Sequence, residues 1–181
     1  MAVTAGLLAA PIVSRAQQIV PAQSDIAFVG KQLGVPVDGK FRKWTAQIKF
    51  DPKKPEAGSV SFTIDTASAT IGAAEFDAEL AKPEWFSAAK FPQAAFQSQA
   101  IKGLGGGRFA VTGTLTMKGV MRPVEVPVQV VQAGANSTAT GSFTLKRLAF
   151  KIGDGDWADT STVVDEVTVK FKLSMTGMAP L

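Results

Sequence analysis

Residues 109–117 read FAVTGTLTM and alternate apolar with polar side chains over their whole length. Phe109, Val111 and Leu115 stand at every second position, and threonines occupy most of the positions between them. A period of two residues is typical of a β-strand with one buried face and one face in water. Strands of a parallel sheet are buried on both faces and would be continuously apolar. We therefore expect this stretch to be a strand of an antiparallel sheet.

The same alternation recurs on both sides of this stretch. Further alternating runs cover residues 46–50, 60–64, 124–130 and 167–173. Glycine-rich or turn-forming segments lie between the runs, at residues 103–107, 118–119 and 134–137. We count about eight strands, a number that closes well into a barrel with room for one ligand.

One segment departs from the strand pattern. Residues 73–82 predict a helix, because Phe76 and Leu80 are four positions apart and Pro83 ends the pattern. The sequence therefore predicts an all-β fold, an eight-stranded antiparallel barrel with one short helical excursion.

Composition excludes several classes of enzyme. The chain has 181 residues, no Cys, no His and no Tyr, so thiol nucleophiles, cysteine zinc sites and His-based charge relays are absent. Residues 154–159 (DGDWAD) lack the spacing of a calcium-binding EF-hand loop. The basic segment 31–54 contains Phe41, Trp44 and Phe50, but Phe50 fits the apolar face of a strand, so the nucleic-acid-binding interpretation is disfavoured. We expect a protein that is not an enzyme, with no metal, no cofactor other than a bound lipid, and no nucleic-acid partner.

The first sixteen residues have the pattern of a secretory signal. Residues 2–13 are apolar, and Ser14, Arg15 and Ala16 follow as a small-x-small cleavage site, although no basic residue precedes the apolar run. We expect residues 1–16 to be a signal peptide and residues 17–181 to be one domain. The protein would then be periplasmic or otherwise exported. No other apolar run reaches the length of a membrane span, so the mature chain is expected to have no transmembrane segment.

Six short motifs in order resemble the YceI-like, polyisoprenoid-binding family. They are VDGKF (37–41), DTASAT (65–70), FDAEL (76–80), WFSAAKFPQAAFQS (85–98), GTLTMKGVMRPV (113–124) and IGDGDW (152–157). The resemblance implies an exported, lipocalin-like barrel of eight antiparallel strands with a long apolar tunnel. It also implies an isoprenoid, isoprenoid quinone or fatty-acyl chain as ligand.

The aromatic composition agrees with an apolar ligand. The chain contains twelve Phe and no Tyr, so its inward-facing strand positions carry almost no polar groups. Such a wall suits a hydrocarbon ligand. The same side chains could instead fill the barrel as a packed core, and the sequence does not separate these alternatives. The candidate lining residues are Phe28, Phe41, Ile48, Phe62, Phe76, Leu80, Trp85, Phe86, Phe96, Val111, Leu115, Val126, Phe143, Val169 and Phe171.

An anionic head group would need a cation at a barrel mouth, because burial of an unpaired charge is costly. Arg147 is the first candidate, and Lys31 and Arg42 are the second. The alternative is that Arg147 pairs with an acid of residues 154–159.

Three functions follow from this reading. The first is an exported carrier of a long apolar lipid in the barrel interior. The alternative is a non-enzymatic interaction module, with a packed barrel and no ligand, for a membrane enzyme that uses quinone. A weaker third idea is a hydrolase built on the carboxylates of Asp77, Glu79, Asp154 and Asp156.

Overall fold

The computed structural model describes residues 16–181, and the expected signal peptide therefore lies almost entirely outside the described residues. The strands form a single sheet in which all pairings are antiparallel. They are β1 (Gln18–Ile19), β2 (Asp25–Gln32), β3 (Val35–Phe41), β4 (Trp44–Lys49), β5 (Ser59–Asp65), β6 (Ala69–Thr70), β7 (Gln93–Gly105), β8 (Arg108–Met117), β9 (Val120–Ala133), β10 (Asn136–Lys146) and β11 (Glu166–Thr176).

The order of the strands curls the sheet into a barrel. The order runs β4-β5-β7-β8-β9-β10-β11-β2-β3-β6, so β4 and β3 lie near opposite ends of the path. Only Arg42 and Lys43 separate β3 from β4 along the chain, which brings the two ends together. Gln17 adds a second link, because it bridges Ile48 of β4 while the next two residues pair with β11.

The antiparallel barrel predicted from the alternating runs is confirmed, but the count of about eight strands is corrected to eleven among residues 16–181. Two of the additional strands, β1 and β6, are only two residues long. At Arg42 and Lys43 the chain breaks its strand geometry and changes partner from β2 to β5. The predicted turn at residues 118–119 is a two-residue hairpin, in which Lys118 and Gly119 both have positive φ.

One α-helix, α1 (Ala74–Leu80), lies within the predicted segment but is shorter than expected at both ends. Leu80 is buried, whereas Phe76 is 55% exposed. Short 3-10 turns cover Pro21–Gln23, Pro55–Ala57, Thr66–Ser68, Arg147–Phe150 and Gly155–Trp157. Among residues 16–181, no helix has the length and apolar character needed to cross a bilayer.

The inward side chains form two apolar clusters. The first cluster is centred on Phe50, Phe109 and Met175, and the C-terminal Met178 packs against it. The second contains Phe86, Met117 and Phe150 and includes Leu80 of the helix. The helix and the segment that follows it therefore add side chains to the second cluster.

Three strand glycines each make room for a phenylalanine ring. Gly39 is paired across the ladder with Phe28, and Gly141 is paired with Phe171. A Cβ at either glycine would overlap the opposing ring, and a Cβ at Gly113 would lie 2.6 Å from Cζ of Phe96. The missing side chains let the rings lie flat over the neighbouring strand, inside a sheet that must curve.

We predict that Gly141→Ala lowers the free energy of unfolding by about 1–3 kcal/mol, the usual effect of overpacking. The new methyl group would overlap the Phe171 ring and lie 2.7 Å from the carbonyl oxygen of Pro127. The matched control is Gly30→Ala, because a Cβ at Gly30 has no atom within 4 Å. The control is expected to leave stability unchanged or raise it by up to about 1 kcal/mol. Urea unfolding measures both variants, and equal effects would contradict the proposed role of Gly141.

Candidate functional site

A cavity of about 150 Å³ lies in the barrel interior, and we call it the core cavity. Every residue that lines it is apolar. Its wall includes Phe50 and Met175 of the first cluster and Met117 of the second, so it extends from one cluster into the other. A barrel strand turns every second side chain inward, and the alternating sequence therefore makes this wall apolar throughout.

The core cavity can hold hydrocarbon, but its wall has no hydrogen-bonding partner for a water molecule. A buried water needs two to four polar partners, and apolar cavities of this size in proteins stay dry. The cavity therefore favours a ligand or ligand segment that has no hydrogen-bonding groups.

Ten of the fifteen predicted lining residues face the core cavity. Four others line a second cavity, described below, and Phe86 lines neither of them but packs its ring against Phe41 at 5.7 Å between centroids. The ten are Phe41, Ile48, Phe62, Phe96, Val111, Leu115, Val126, Phe143, Val169 and Phe171.

The sequence prediction omitted several lining residues that obey the same alternation. Phe50, Phe109 and Met117 continue the inward parity of β4 and β8, and a complete count of each period would have included them. Met178 has no such signal, because it lies beyond the last strand and reaches the cavity only through the path of the C-terminal segment.

A second cavity of about 160 Å³ lies between β2, β3, α1 and the loop that follows Arg147, and we call it the outer cavity. Four predicted lining residues, Phe28, Phe76, Leu80 and Trp85, lie in its wall. Lys31 and Glu79 add charged groups, so this cavity differs from the core cavity in polarity.

Arg147 is 2% exposed and donates to five backbone carbonyls. Its Nε donates to Val164 at 3.2 Å, and its Nη2 donates to Trp157 and Val163 at 2.8 and 2.6 Å. Its Nη1 donates to the carbonyls of Ile152 and Gly153. The five N–H donors of a guanidinium are thereby all engaged. Arg147 ties the loop of residues 152–164 to the barrel, and its partners are carbonyls, in contrast to the carboxylate that the alternative expectation assigned to it.

The electrostatic setting of Arg147 agrees with a structural role. Burial lowers the pKa of its guanidinium, and the nearby Asp165 carboxylate acts in the opposite direction. The guanidinium also lies over the Trp85 ring, 5.9 Å from the ring centroid, as a cation–π contact.

The two other head-group candidates lie at different places. Lys31 is exposed and contributes to the rim of the outer cavity. Arg42 is in the short break between β3 and β4, where it donates to Oγ1 of Thr70 at 3.0 Å and lies 3.6 Å from the Asp77 carboxylate. The Thr70 hydroxyl and then the Ile71 N–H hold the pKa of Asp77 below its usual value.

Three of the four carboxylates considered for hydrolysis have separate partners. Asp77 accepts from the Ile71 N–H at 2.8 Å, Glu79 pairs with Lys82, and Asp154 lies 3.7 Å from the Lys118 ammonium. Within residues 16–181, no group of three or more acidic residues is arranged to hold a metal ion.

Comparison with known sequences identifies a family and several relatives from bacteria. A model of the YceI-like domain matches residues 17–175. A UPF0312 protein of Pseudomonas savastanoi is 31% identical over 154 residues, which cover 77% of this chain and 80% of the relative. A UPF0312 protein of Shewanella baltica is 29% identical and covers 83% of this chain and 85% of its own length.

Solved structures share the fold. BcnA of Burkholderia cenocepacia is 46% identical, with a TM-score of 0.84 over 87% of this chain and 99% of that chain. A polyisoprenoid binding domain from Saccharophagus degradans is 18% identical, with a TM-score of 0.70 over 91% of this chain and 98% of that chain. At that identity the likeness shows the fold alone.

We predict that Arg147→Met lowers the free energy of unfolding by at least about 3 kcal/mol, because five carbonyls lose a charged donor. The matched control is Arg42→Met, because the Arg42 side chain is 62% exposed and has one ion pair. We expect the control to cost about 1 kcal/mol or less. Urea unfolding, together with proteolysis of the loop at residues 152–164, measures the difference. Similar stability of the two variants would contradict a structural role for Arg147.

Proposed function

The chain belongs to the YceI-like domain family, and we propose that it binds and carries a long apolar lipid whose chain occupies the core cavity. The lipid is of the polyisoprenoid, isoprenoid quinone or fatty-acyl type. The protein performs no chemistry on the lipid. The polyisoprenoid binding domain of Saccharophagus degradans, which has the same fold, supports this proposal.

The wholly apolar core cavity is the observation that carries the proposal. Its wall comes from strands around the barrel, and it joins the two apolar clusters of the interior. Each methylene group moved from water into such a cavity contributes about 0.8 kcal/mol. Even a chain that is only partly inside gains enough to offset the cost of its own ordering.

The cavity also bears on the alternative function. An interaction module with a packed barrel would fill its interior with its own side chains. The space of about 150 Å³ among Phe50, Phe109 and Met175 favours the lipid carrier over that module. The separate partners of Asp77, Glu79 and Asp154 likewise give the hydrolase idea no support.

We predict that Ala139→Leu weakens binding of hexadecanoic acid and of a prenylated benzoquinone at least about 10-fold. Ala139 is buried on β10 and lines the core cavity, so the larger side chain takes space from the ligand. The matched control is Ala110→Leu on β8, on the face of the strand opposite to the inward Phe109 and Val111. Equilibrium binding of the radiolabelled lipids measures both variants.

Two results would contradict the proposal. The first is that the unaltered protein takes up neither lipid and yields none on extraction from its host. The second is that Ala139→Leu and Ala110→Leu weaken binding equally while both remain folded.

We also propose that the protein is exported and that its signal peptide is cleaved after Ala16. Cleavage there would leave Gln17, which is buried and whose backbone N–H donates to the carbonyl of Ile48 at 2.9 Å. The side-chain amide of Gln17 exchanges two hydrogen bonds with the backbone of Phe50. The proposed cleavage therefore keeps the hydrogen bonds that join Gln17 to Ile48 and Phe50.

N-terminal sequencing of the protein from the cell envelope fraction of its host tests the cleavage. The expected first residue is Gln17. Recovery of the chain from the cytosol with residues 2–16 still attached would contradict export.

A further inference from the structure

The outer cavity has no assigned role in the lipid site described so far. It is as large as the core cavity, at about 160 Å³, and most of its wall is apolar. Space is open above Gly30 in this wall, because a Cβ at that position would have no atom within 4 Å. A polar rim that includes Lys31 and Gln32 distinguishes it from the core cavity.

Two aromatic rings stand between the cavities. Phe41 lines the core cavity and Phe28 lines the outer cavity, and their ring centroids are 5.3 Å apart. Phe28 is paired with Gly39 of β3, so no side chain at position 39 contacts the Phe28 ring. A ligand chain that passes these two rings would join the two cavities into one site.

Trp85, which lies in the wall of the outer cavity, carries an unused hydrogen-bond donor. Its indole Nε1 is buried and has no acceptor among the described residues, although the ring is part of the cavity wall. The opposite edge of the ring packs near Gly153, where a Cβ would lie 3.0 Å from Cζ3. A buried donor without a partner costs about 1–3 kcal/mol, and such groups are rare in native proteins. An acceptor oxygen in the outer cavity would remove this cost.

The charges around the outer cavity favour an acceptor. Lys31 forms no ion pair within residues 16–181, whereas Glu79 is paired with Lys82 and Arg147 is occupied by carbonyls. The Lys31 ammonium at the rim and the buried Arg147 guanidinium, whose partners are neutral carbonyls, therefore leave the cavity wall with positive charge.

We propose that the outer cavity receives the head group of the lipid whose chain lies in the core cavity. Trp85 Nε1 donates to a carbonyl or carboxylate oxygen of that head group, and Lys31 at the rim strengthens binding of a carboxylate. This inference rests on the proposed lipid carriage and adds the chemical class of the head group, a hydrogen-bond acceptor. The Phe28 and Phe41 rings mark the boundary between chain and head group.

Three probes of equal chain length separate the head group from the chain: hexadecane, methyl hexadecanoate and hexadecanoic acid. Trp85→Phe keeps an aromatic ring and removes the donor. We expect it to weaken binding of the ester and the acid about 3- to 10-fold, the worth of one hydrogen bond, and to change hexadecane binding less than 2-fold. The matched control is Trp157→Phe, which alters the same wall but leaves the Trp85 donor in place, and it is expected to change binding of each probe less than 2-fold.

Gly30→Leu tests the cavity independently of Trp85, because the added side chain enters open space. We expect it to weaken binding of the ester and the acid and to spare hexadecane. Lys31→Gln is expected to weaken only the acid, and an unchanged affinity for the acid would exclude a carboxylate in favour of a neutral carbonyl.

The inference is overturned if Trp85→Phe and Gly30→Leu leave the ester and the acid unaffected, or weaken hexadecane as much as the ester. If the unaltered protein binds hexadecane but prefers neither the ester nor the acid over it, the head-group assignment fails while lipid carriage stands. If it binds none of the three probes, the proposed function itself has failed.

Discussion

An interior without polar groups is the constraint on which the rest of this structure depends. Antiparallel pairing around the barrel satisfies the strand backbones, so the inward side chains are free to be wholly apolar. None of the buried polar side chains of residues 16–181 lines the core cavity, and Arg147 and Gln17 instead fasten the chain where strands end or begin. A polar group placed inside would require a partner that the wall does not offer. The same constraint that stabilises the fold thereby makes the core cavity suited to the hydrocarbon chain of the proposed ligand.

Curvature and closure follow from a few local departures in regular strands. The two residues between β3 and β4 let one stretch of chain pair with β2 and then with β5. Because Gly39 and Gly141 have no side chain, the rings of Phe28 and Phe171 can lie across the neighbouring strand. The rings that these glycines accommodate line the two cavities. The glycines thereby determine where two of the rings in the cavity walls can lie.

The sequence predicted what depends on local periodicity and missed what depends on distant partners. Alternation was enough to place Val111, Leu115 and Val126 in the wall, because a strand position alone determines the direction of its side chain. Arg147 was predicted to face a head group or a carboxylate. Its partners are backbone carbonyls up to 17 residues away along the chain, which leave no mark in the sequence. The division of the predicted lining residues between two cavities depends on the contact of Phe28 with Phe41, which only the folded barrel reveals.

A crystal structure of the protein saturated with hexadecanoic acid shows whether the barrel interior holds the lipid chain. We expect continuous density for the acyl chain inside the barrel, in contact with Phe109, Val126 and Phe171 of the core cavity wall. A structure in which side chains close the core cavity, with the lipid bound only on the outer surface of the barrel, would contradict this expectation.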